Sequence, residues 1–117
     1  IKQRGGMLAK GWLLGLQFDT LLKDELYFRV SEHANMLAQQ LRSTLNELNI
    51  PVLVDSPSNQ IFPILPDDLL IALDKNFTYN MMERVDETRC CVRFCTSWAT
   101  KKADVDALCN ALKDYYK

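Results

Sequence analysis

The segment Arg89–Trp98 alternates between apolar and mixed positions, a pattern typical of a β-strand with one buried face. Its even positions would share that face, and they are mostly apolar: Cys90, Val92, Phe94 and Thr96. Arg93 falls on the opposite face, where its rigid, planar guanidinium would be suited to binding a carboxylate or a phosphate. The alternative is an arginine that extends into solvent from the outer face of a sheet.

Length and charge narrow the possible classes of protein. The 117 residues fit one domain, and a formal net charge of −1 gives no electrostatic attraction for nucleic acid or an anionic membrane surface. The apolar run Met7–Leu16 is interrupted by Lys10 and two glycines, so it does not predict a membrane span. We therefore expect a soluble protein with no nucleic-acid or membrane partner. The first residues, Ile1–Gly6, suggest the interior of a longer chain.

The four cysteines are Cys90, Cys91, Cys95 and Cys109. They form no C-x-x-C pair and have no histidine at metal-binding spacing, so we expect no metal site. Cys91 and Cys95 would share a strand face, but they lie too far apart along an extended chain for a disulfide. We expect all four to be reduced, buried side chains in a cytoplasmic protein.

The first predicted helix, Met7–Leu22, follows the permissive turn Gly5–Gly6 and is apolar on all sides. A domain of this size has little surface with which to cover such a helix, so we expect it to pack against a partner surface. Residues 1–25 would then link this domain to a missing large domain.

A second helix is predicted by an apolar stripe that runs from Val30 to Leu48. The sole histidine, His33, flanks the stripe with no acid or cysteine nearby, so we assign it no chemistry. Asn49–Pro51 should end this helix, Val52–Val54 should form a short strand, and a hairpin-like return should lead into a strand over 59–65. Pro63 would limit that strand to an edge or a bulge.

The remaining pattern predicts two strands and two helices. Pro66 and the adjacent Asp67 and Asp68 should open a short helix, with the aspartates at the positive end of the helix dipole rather than in catalysis. Phe77–Met82 should be a strand paired antiparallel with the Arg93 strand. Thr100 is a plausible N-cap for a last helix whose apolar face would carry Val105, Leu108, Leu112 and Tyr115.

The predicted order is thus α-α-β-β-α-β-β-α. Helices that must cover a sheet, and a sheet with one apolar and one mixed face, favour an α/β fold of the two-layer sandwich type. The sheet would be small and largely antiparallel, with helices covering it.

Three motifs in this order resemble the C-terminal domain of threonine aldolases and related β-eliminating lyases: Arg4-Gly5-Gly6-Met7, Pro57-Ser58-Asn59-Gln60-Ile61-Phe62 and Val92-Arg93-Phe94-Cys95-Thr96-Ser97-Trp98-Ala99-Thr100. The resemblance runs the full length of the chain. It implies the small domain of a pyridoxal-phosphate enzyme of the aspartate-aminotransferase fold, in which a small terminal domain closes over a site on a large cofactor domain. It also implies a homo-oligomer.

The resemblance assigns a role to Arg93, which matches the arginine of the family's Arg-x-x-Thr strand and would bind the α-carboxylate of the amino-acid substrate. The family's Schiff-base lysine lies upstream of this chain, and no lysine here matches it, so we assign no catalytic residue. Two family positions that usually carry basic residues near the cofactor phosphate fall on Ile1 and Leu8. Cofactor-binding residues therefore stay unassigned, although the nearby basic residues could substitute: Lys2, Arg4 and Lys10.

We expect the chain to belong to a lyase that splits a threonine-like β-hydroxy-α-amino acid into glycine and an aldehyde, and to be inactive alone. Ser97 stands where many aldolases have a histidine, which suggests a divergent branch whose substrate is not threonine. Two other enzyme classes of the same fold also fit this sequence: an aminotransferase and a tryptophanase-like lyase. The alternative from another class is a free-standing, non-catalytic α/β module that dimerises through its first helix or binds a small carboxylate at Arg93.

Overall fold

A computed structural model describes Arg4 and residues 7–117. The predicted turn at Gly5–Gly6 lies outside these residues. So do Ile1, at a family position that usually carries a basic residue, and Lys2, which could substitute for it. In chain order the helices are α1 (Gly11–Leu22), α2 (Leu26–Glu47), α3 (Asp67–Leu73) and α4 (Lys102–Tyr115), and a 3-10 turn, Lys23–Glu25, separates the first two. The strands are β1 (Gln60–Ile61), β2 (Ile64–Pro66), β3 (Asn80–Arg84) and β4 (Arg89–Cys95).

Each of the other three described strands, β1, β2 and β3, pairs antiparallel with β4. β1 and β2 follow one register along it, from Gln60 opposite Cys95 to Pro66 opposite Arg89, and β3 pairs with it as well. Pro63, which separates β1 from β2, has no N–H, but its carbonyl oxygen accepts a hydrogen bond from the Val92 N–H at 3.1 Å. Among the described strands β1 and β2 each pair with β4 alone, so the predicted restriction of this strand to an edge is confirmed, and the strand is also divided at Pro63.

The apolar face of β4 forms the centre of the core, as the alternation predicted. Cys90, Val92 and Phe94 are buried in a cluster with residues from three helices and the neighbouring strands: Leu37, Leu41 and Leu45 of α2, Leu69 and Leu73 of α3, Leu108 and Leu112 of α4, and Ile61 and Leu65. On the other face Arg93 is half-buried and Cys95 is exposed. The α/β fold with a small antiparallel sheet covered by helices is confirmed.

The end of α2 shows how local sequence stops a helix. Asn49 adopts a left-handed conformation (φ 54°), and its N–H donates to the Asn46 carbonyl oxygen at 3.1 Å. The Ile50 N–H donates to the Leu45 carbonyl oxygen at 2.9 Å. Together these bonds form a Schellman motif, which satisfies carbonyl groups of the last turn. The predicted stop before Pro51 is confirmed.

Three predictions about strands and helix starts were wrong. Val52–Val54 is not a strand: Val52 makes one isolated bridge to Pro63, while Leu53 and Val54 are exposed. The third strand lies at Asn80–Arg84 rather than 77–82, because its ladder with β4 starts only at Asn80. The first helix begins at Gly11 rather than Met7, since Lys10 is left-handed (φ 63°).

The last helix also differs from its prediction. Its N-cap is Lys101, not Thr100, and no side chain caps its N-terminus. Tyr115 is 40% exposed rather than part of the buried face, and its hydroxyl donates to Asp68 Oδ2 at 2.7 Å. The other three predicted positions of that face are buried.

The first helix, α1, buries none of its residues against the rest of the described chain. Its large apolar side chains are exposed, among them Trp12 (73%), Phe18 (65%) and Leu22 (65%). Within the described part, no helix is both long enough and apolar enough to cross a lipid bilayer.

Candidate functional site

Arg93 is held at the centre of the sheet by strands on both sides of β4. On one side its Cα partner is Asn80 of β3, and on the other the β1 and β2 ladders flank it. Such pairing fixes the backbone, so the guanidinium projects from the face opposite the core. The structure thus places Arg93 on the mixed face that the alternation predicted.

The charge on Arg93 is not neutralised by any carboxylate of the described residues. Nη2 donates one hydrogen bond, to Asn80 Oδ1 at 3.2 Å, and Nε is enclosed by the protein without a hydrogen-bond partner among the described residues. A buried donor left unpaired costs free energy, so the surroundings of this guanidinium are unusual for a folded protein. An anion is the chemical complement of such a group.

The other arginines of β3 and β4 differ from Arg93 in this respect. Arg84 forms a two-bond pair with Asp67, in which Nη1 lies 3.1 Å from Oδ2 and Nη2 lies 3.3 Å from Oδ1. Arg89 Nη2 lies 2.7 Å from Asp86 Oδ2. The Arg84 hydrogen bond lowers the pKa of the Asp67 carboxyl below its ordinary value. Arg93 therefore differs from both neighbouring arginines in having no carboxylate partner among the described residues.

Thr96 ends the Arg-x-x-Thr motif and fixes the end of β4. Its buried Oγ1 donates to the Ala34 carbonyl oxygen of α2 at 2.6 Å. Its own N–H donates to the Asn59 carbonyl oxygen at 3.0 Å, and Asn59 Nδ2 donates back to the Thr96 carbonyl oxygen at 2.7 Å. These bonds anchor the chain three residues beyond Arg93 to α2 and to the segment before β1.

The loop after β4 is held by polar contacts that sequence reasoning missed. Thr100 Oγ1 accepts from the Ser97 N–H at 2.8 Å, so the residue expected to cap α4 instead closes this loop. His33 Nε2 lies 2.8 Å from the Thr100 carbonyl oxygen, which requires the proton on Nε2. No spacing signal connects His33 to Thr100, because they are 67 positions apart.

Trp98 projects from this loop and is 73% exposed. It borders a cleft of about 390 Å³ between the loop and α2, lined by Tyr27, Val30, Ser31, Ala34, Asn35, Asn59, Ser97 and Trp98. Arg93 is not among the lining residues, so the structure does not bring the loop cleft and the guanidinium together. Trp98 belongs to the motif that follows Arg93, but the sequence pattern alone assigns it no role.

The cysteines and the basic residues near the start of the chain contribute less to the candidate site than Arg93 and the loop after β4. Cys90, Cys91 and Cys109 are buried as expected, whereas Cys95 is exposed, which corrects that prediction. Burial raises the thiol pKa of Cys90 and Cys91. In the described part of the chain, no three His, Cys, Asp or Glu side chains are grouped to hold a metal ion. Arg4, Leu8 and Lys10 are all exposed.

Comparison with solved structures gives a match over the whole chain. The chain is similar to a threonine aldolase from Leishmania major, with 39% sequence identity and a TM-score of 0.90. The match covers 100% of this chain and 34% of that one, so the chain spans about a third of the length of the relative. No protein-family model matches, and no curated protein sequence matches.

Proposed function

Because this chain is a threonine aldolase-like C-terminal domain, we propose that it serves as the small domain of a pyridoxal-phosphate-dependent lyase. The proposed reaction is the cleavage of a threonine-like β-hydroxy-α-amino acid to glycine and an aldehyde. The solved relative is named as a threonine aldolase, and its chain is about three times as long as the part matched here. The large domain, the pyridoxal phosphate and the threonine-like substrate are therefore all proposed together.

In this proposal Arg93 binds the α-carboxylate of the substrate. The observation that carries it is the uncompensated guanidinium: one hydrogen bond to a neutral amide, an enclosed Nε without a partner, and no carboxylate among the described residues. Both neighbouring arginines of the sheet already have aspartate partners. A substrate carboxylate would supply to Arg93 the charge-assisted hydrogen bonds that Asp67 supplies to Arg84.

The contribution of this residue to catalysis would be orientation. When bound, the cofactor supplies an electron sink that stabilises negative charge developing at the substrate Cα. Which bond to Cα breaks depends on which one stands perpendicular to the cofactor ring. A paired contact to the carboxylate limits rotation about the bond between the amino nitrogen and Cα. The contact therefore selects which bond to Cα stands perpendicular to the ring and breaks. The hydrogen bond of Thr96 to Ala34 restrains the end of the strand from which the guanidinium projects.

The described residues fit the substrate side of such a centre rather than the cofactor itself. We place the lysine that carries pyridoxal phosphate, and most of the phosphate-binding groups, in a large domain of the same protein. Among this chain's basic residues Arg4 and Lys10 are exposed and could approach a phosphate, but neither is assigned to it.

The exposed helix α1 supports a large domain and a second subunit as partners. Burying apolar side chains such as Trp12 and Phe18 is favourable, and nothing in the described chain covers them. We propose that α1, within residues 1–25, packs against the large domain and a neighbouring copy, in a homo-oligomer. Free cysteines are consistent with a cytoplasmic location, which we also propose.

The test is Arg93→Ala in the full-length protein that contains this chain, assayed for release of glycine and aldehyde from threonine. We expect KM to rise and kcat/KM to fall by about 30- to 1000-fold, which corresponds to about 2 to 4 kcal/mol. Arg89→Ala, which removes an exposed arginine of the same strand, is the matched control and should change kcat/KM little. Unchanged kinetics in Arg93→Ala would remove this residue from the site. The chain alone should be inactive.

A further inference from the structure

Arg93 is held by a neutral acceptor, although acidic partners hold the other arginines of the same two strands. Asn80 Oδ1 accepts from Arg93 Nη2 at 3.2 Å, whereas Asp67 and Asp86 accept from Arg84 and Arg89. An amide oxygen orients a guanidinium without cancelling its charge. A carboxylate at the same position would form an ion pair and would compete with any anionic ligand.

The backbone of β3 places Asn80 in this position through an irregularity. Asn80 pairs with Arg93, but the register shifts between Met81 and Glu83. Without that shift, the register beyond it would set Met81 opposite Arg93. Bulges of this kind redirect side chains and often accompany functional sites. The bulge therefore places the amide oxygen of Asn80, rather than the thioether sulfur of Met81, beside the guanidinium of Arg93.

The contact also limits how an anion can reach Arg93. Nε is enclosed, and Nη2 already donates to Asn80, while Nη1 has no hydrogen bond to any described residue. Nη1 and the second N–H of Nη2 are therefore the donors left for a carboxylate. The hydrogen bond to Asn80 favours one orientation of the guanidinium, in which these donors can form two parallel hydrogen bonds to a carboxylate.

We propose that Asn80 is a positioning residue that holds Arg93 for a substrate α-carboxylate and, by being neutral, leaves the full charge available to it. This inference rests on the proposed role of Arg93. It identifies Asn80 as a residue that contributes to selection of amino acids over analogues without the carboxylate. The proposal concerns binding, and no bond is made or broken at Asn80.

The experiment measures ligand binding to the full-length, cofactor-loaded protein by calorimetry. The probes are glycine and glycinamide, which differ in having a carboxylate or a neutral amide. We expect Asn80→Asp to weaken glycine binding by about tenfold, because the new carboxylate competes for Arg93, and not to weaken glycinamide binding. Asn80→Ala, which removes the acceptor without adding charge, should weaken glycine binding by about threefold. The steady-state KM for threonine should rise in parallel, with a smaller change in kcat.

Two controls separate this inference from a structural effect. Asn110→Asp makes the same change at an exposed position of α4 and should leave both affinities unchanged. In an Arg93→Ala background, Asn80→Asp should have no further effect on glycine binding, because the competition requires the guanidinium.

The outcomes also separate the two proposals. If Arg93→Ala leaves glycine binding unchanged, the proposed role of Arg93 fails, and the role of Asn80 fails with it. If Arg93→Ala weakens glycine binding but both Asn80 variants bind glycine as the parent does, only the role of Asn80 is overturned. Equal weakening for glycine and glycinamide in Asn80→Asp would also overturn it.

Discussion

Thr96 Oγ1 donates a 2.6 Å hydrogen bond to the carbonyl oxygen of Ala34, joining the end of β4 to the middle of α2. Both residues are buried, so this bond lies inside the core. It adds a hydrogen bond to the apolar packing that joins the sheet carrying Arg93 to the helices. The threonine of the Arg-x-x-Thr motif therefore has a structural role beside any role of the arginine.

Removing that hydroxyl should destabilise the domain. Thr96→Val keeps the shape of the side chain but deletes the donor to Ala34, and we expect the free energy of unfolding to fall by about 1 to 3 kcal/mol. Urea denaturation of the chain measures it. Thr78→Val, at an exposed threonine, is the control and should fall within about 0.5 kcal/mol of the parent. A loss no larger at Thr96 than at Thr78 would contradict the role of this bond.

The Asp67–Arg84 pair should make stability sensitive to acid. Its hydrogen bond lowers the pKa of Asp67 below the ordinary 3.8, so the stabilisation is complete above that value and is lost as the pH falls through the folded-state pKa. We expect the free energy of unfolding to fall less in Asp67→Asn than in the parent when the pH is lowered from neutral to below 3.8. Urea denaturation at the two pH values measures the difference. Asp55→Asn, at an exposed aspartate, should lose as much as the parent. Equal acid sensitivity of all three proteins would refute this prediction.

The burial of the cysteines predicts selective thiol reactivity. Burial raises the pKa of Cys90 and Cys91, and Cys109 is buried too, so only Cys95 should react rapidly with an aromatic disulfide reagent in the folded chain. Cys95→Ser should abolish the rapid phase, which absorbance of the released thiolate measures. Cys109→Ser should keep it. A rapid phase that survives in Cys95→Ser would show that a buried thiol is accessible.

The uncovered helix α1 should make the isolated chain bind apolar dyes or aggregate. Replacing Trp12, Phe18 and Leu22 by glutamine removes exposed apolar surface, so dye fluorescence should fall strongly. Ile71→Gln, at an exposed isoleucine of α3, should change it little. A stable, compact dimer of the parent chain that binds no dye would instead favour a free-standing module that dimerises through α1.

The sequence by itself determined the elements that depend on neighbours along the chain. Alternation over β4 identified its buried face, a helical stripe identified α2, and Asn49–Pro51 identified the end of that helix. The predicted order of elements was only partly right: Val52–Val54 is not a strand, and the single strand predicted over 59–65 is divided into β1 and β2. Periodicity and helix-ending residues act over a few positions, so these features can be read locally.

Only the tertiary structure decided which side chains meet. Sequence alternation placed Arg93 on the mixed face, but the bulge in β3 decided that Asn80 lies opposite it. Thr96 meets Ala34, and His33 meets Thr100, across 62 and 67 positions. Such contacts depend on strand register and on how helices pack over the sheet, and a shift of one residue changes the partner. Local pattern sets which residues face the core or the surface; long-range packing sets the partner of each polar group.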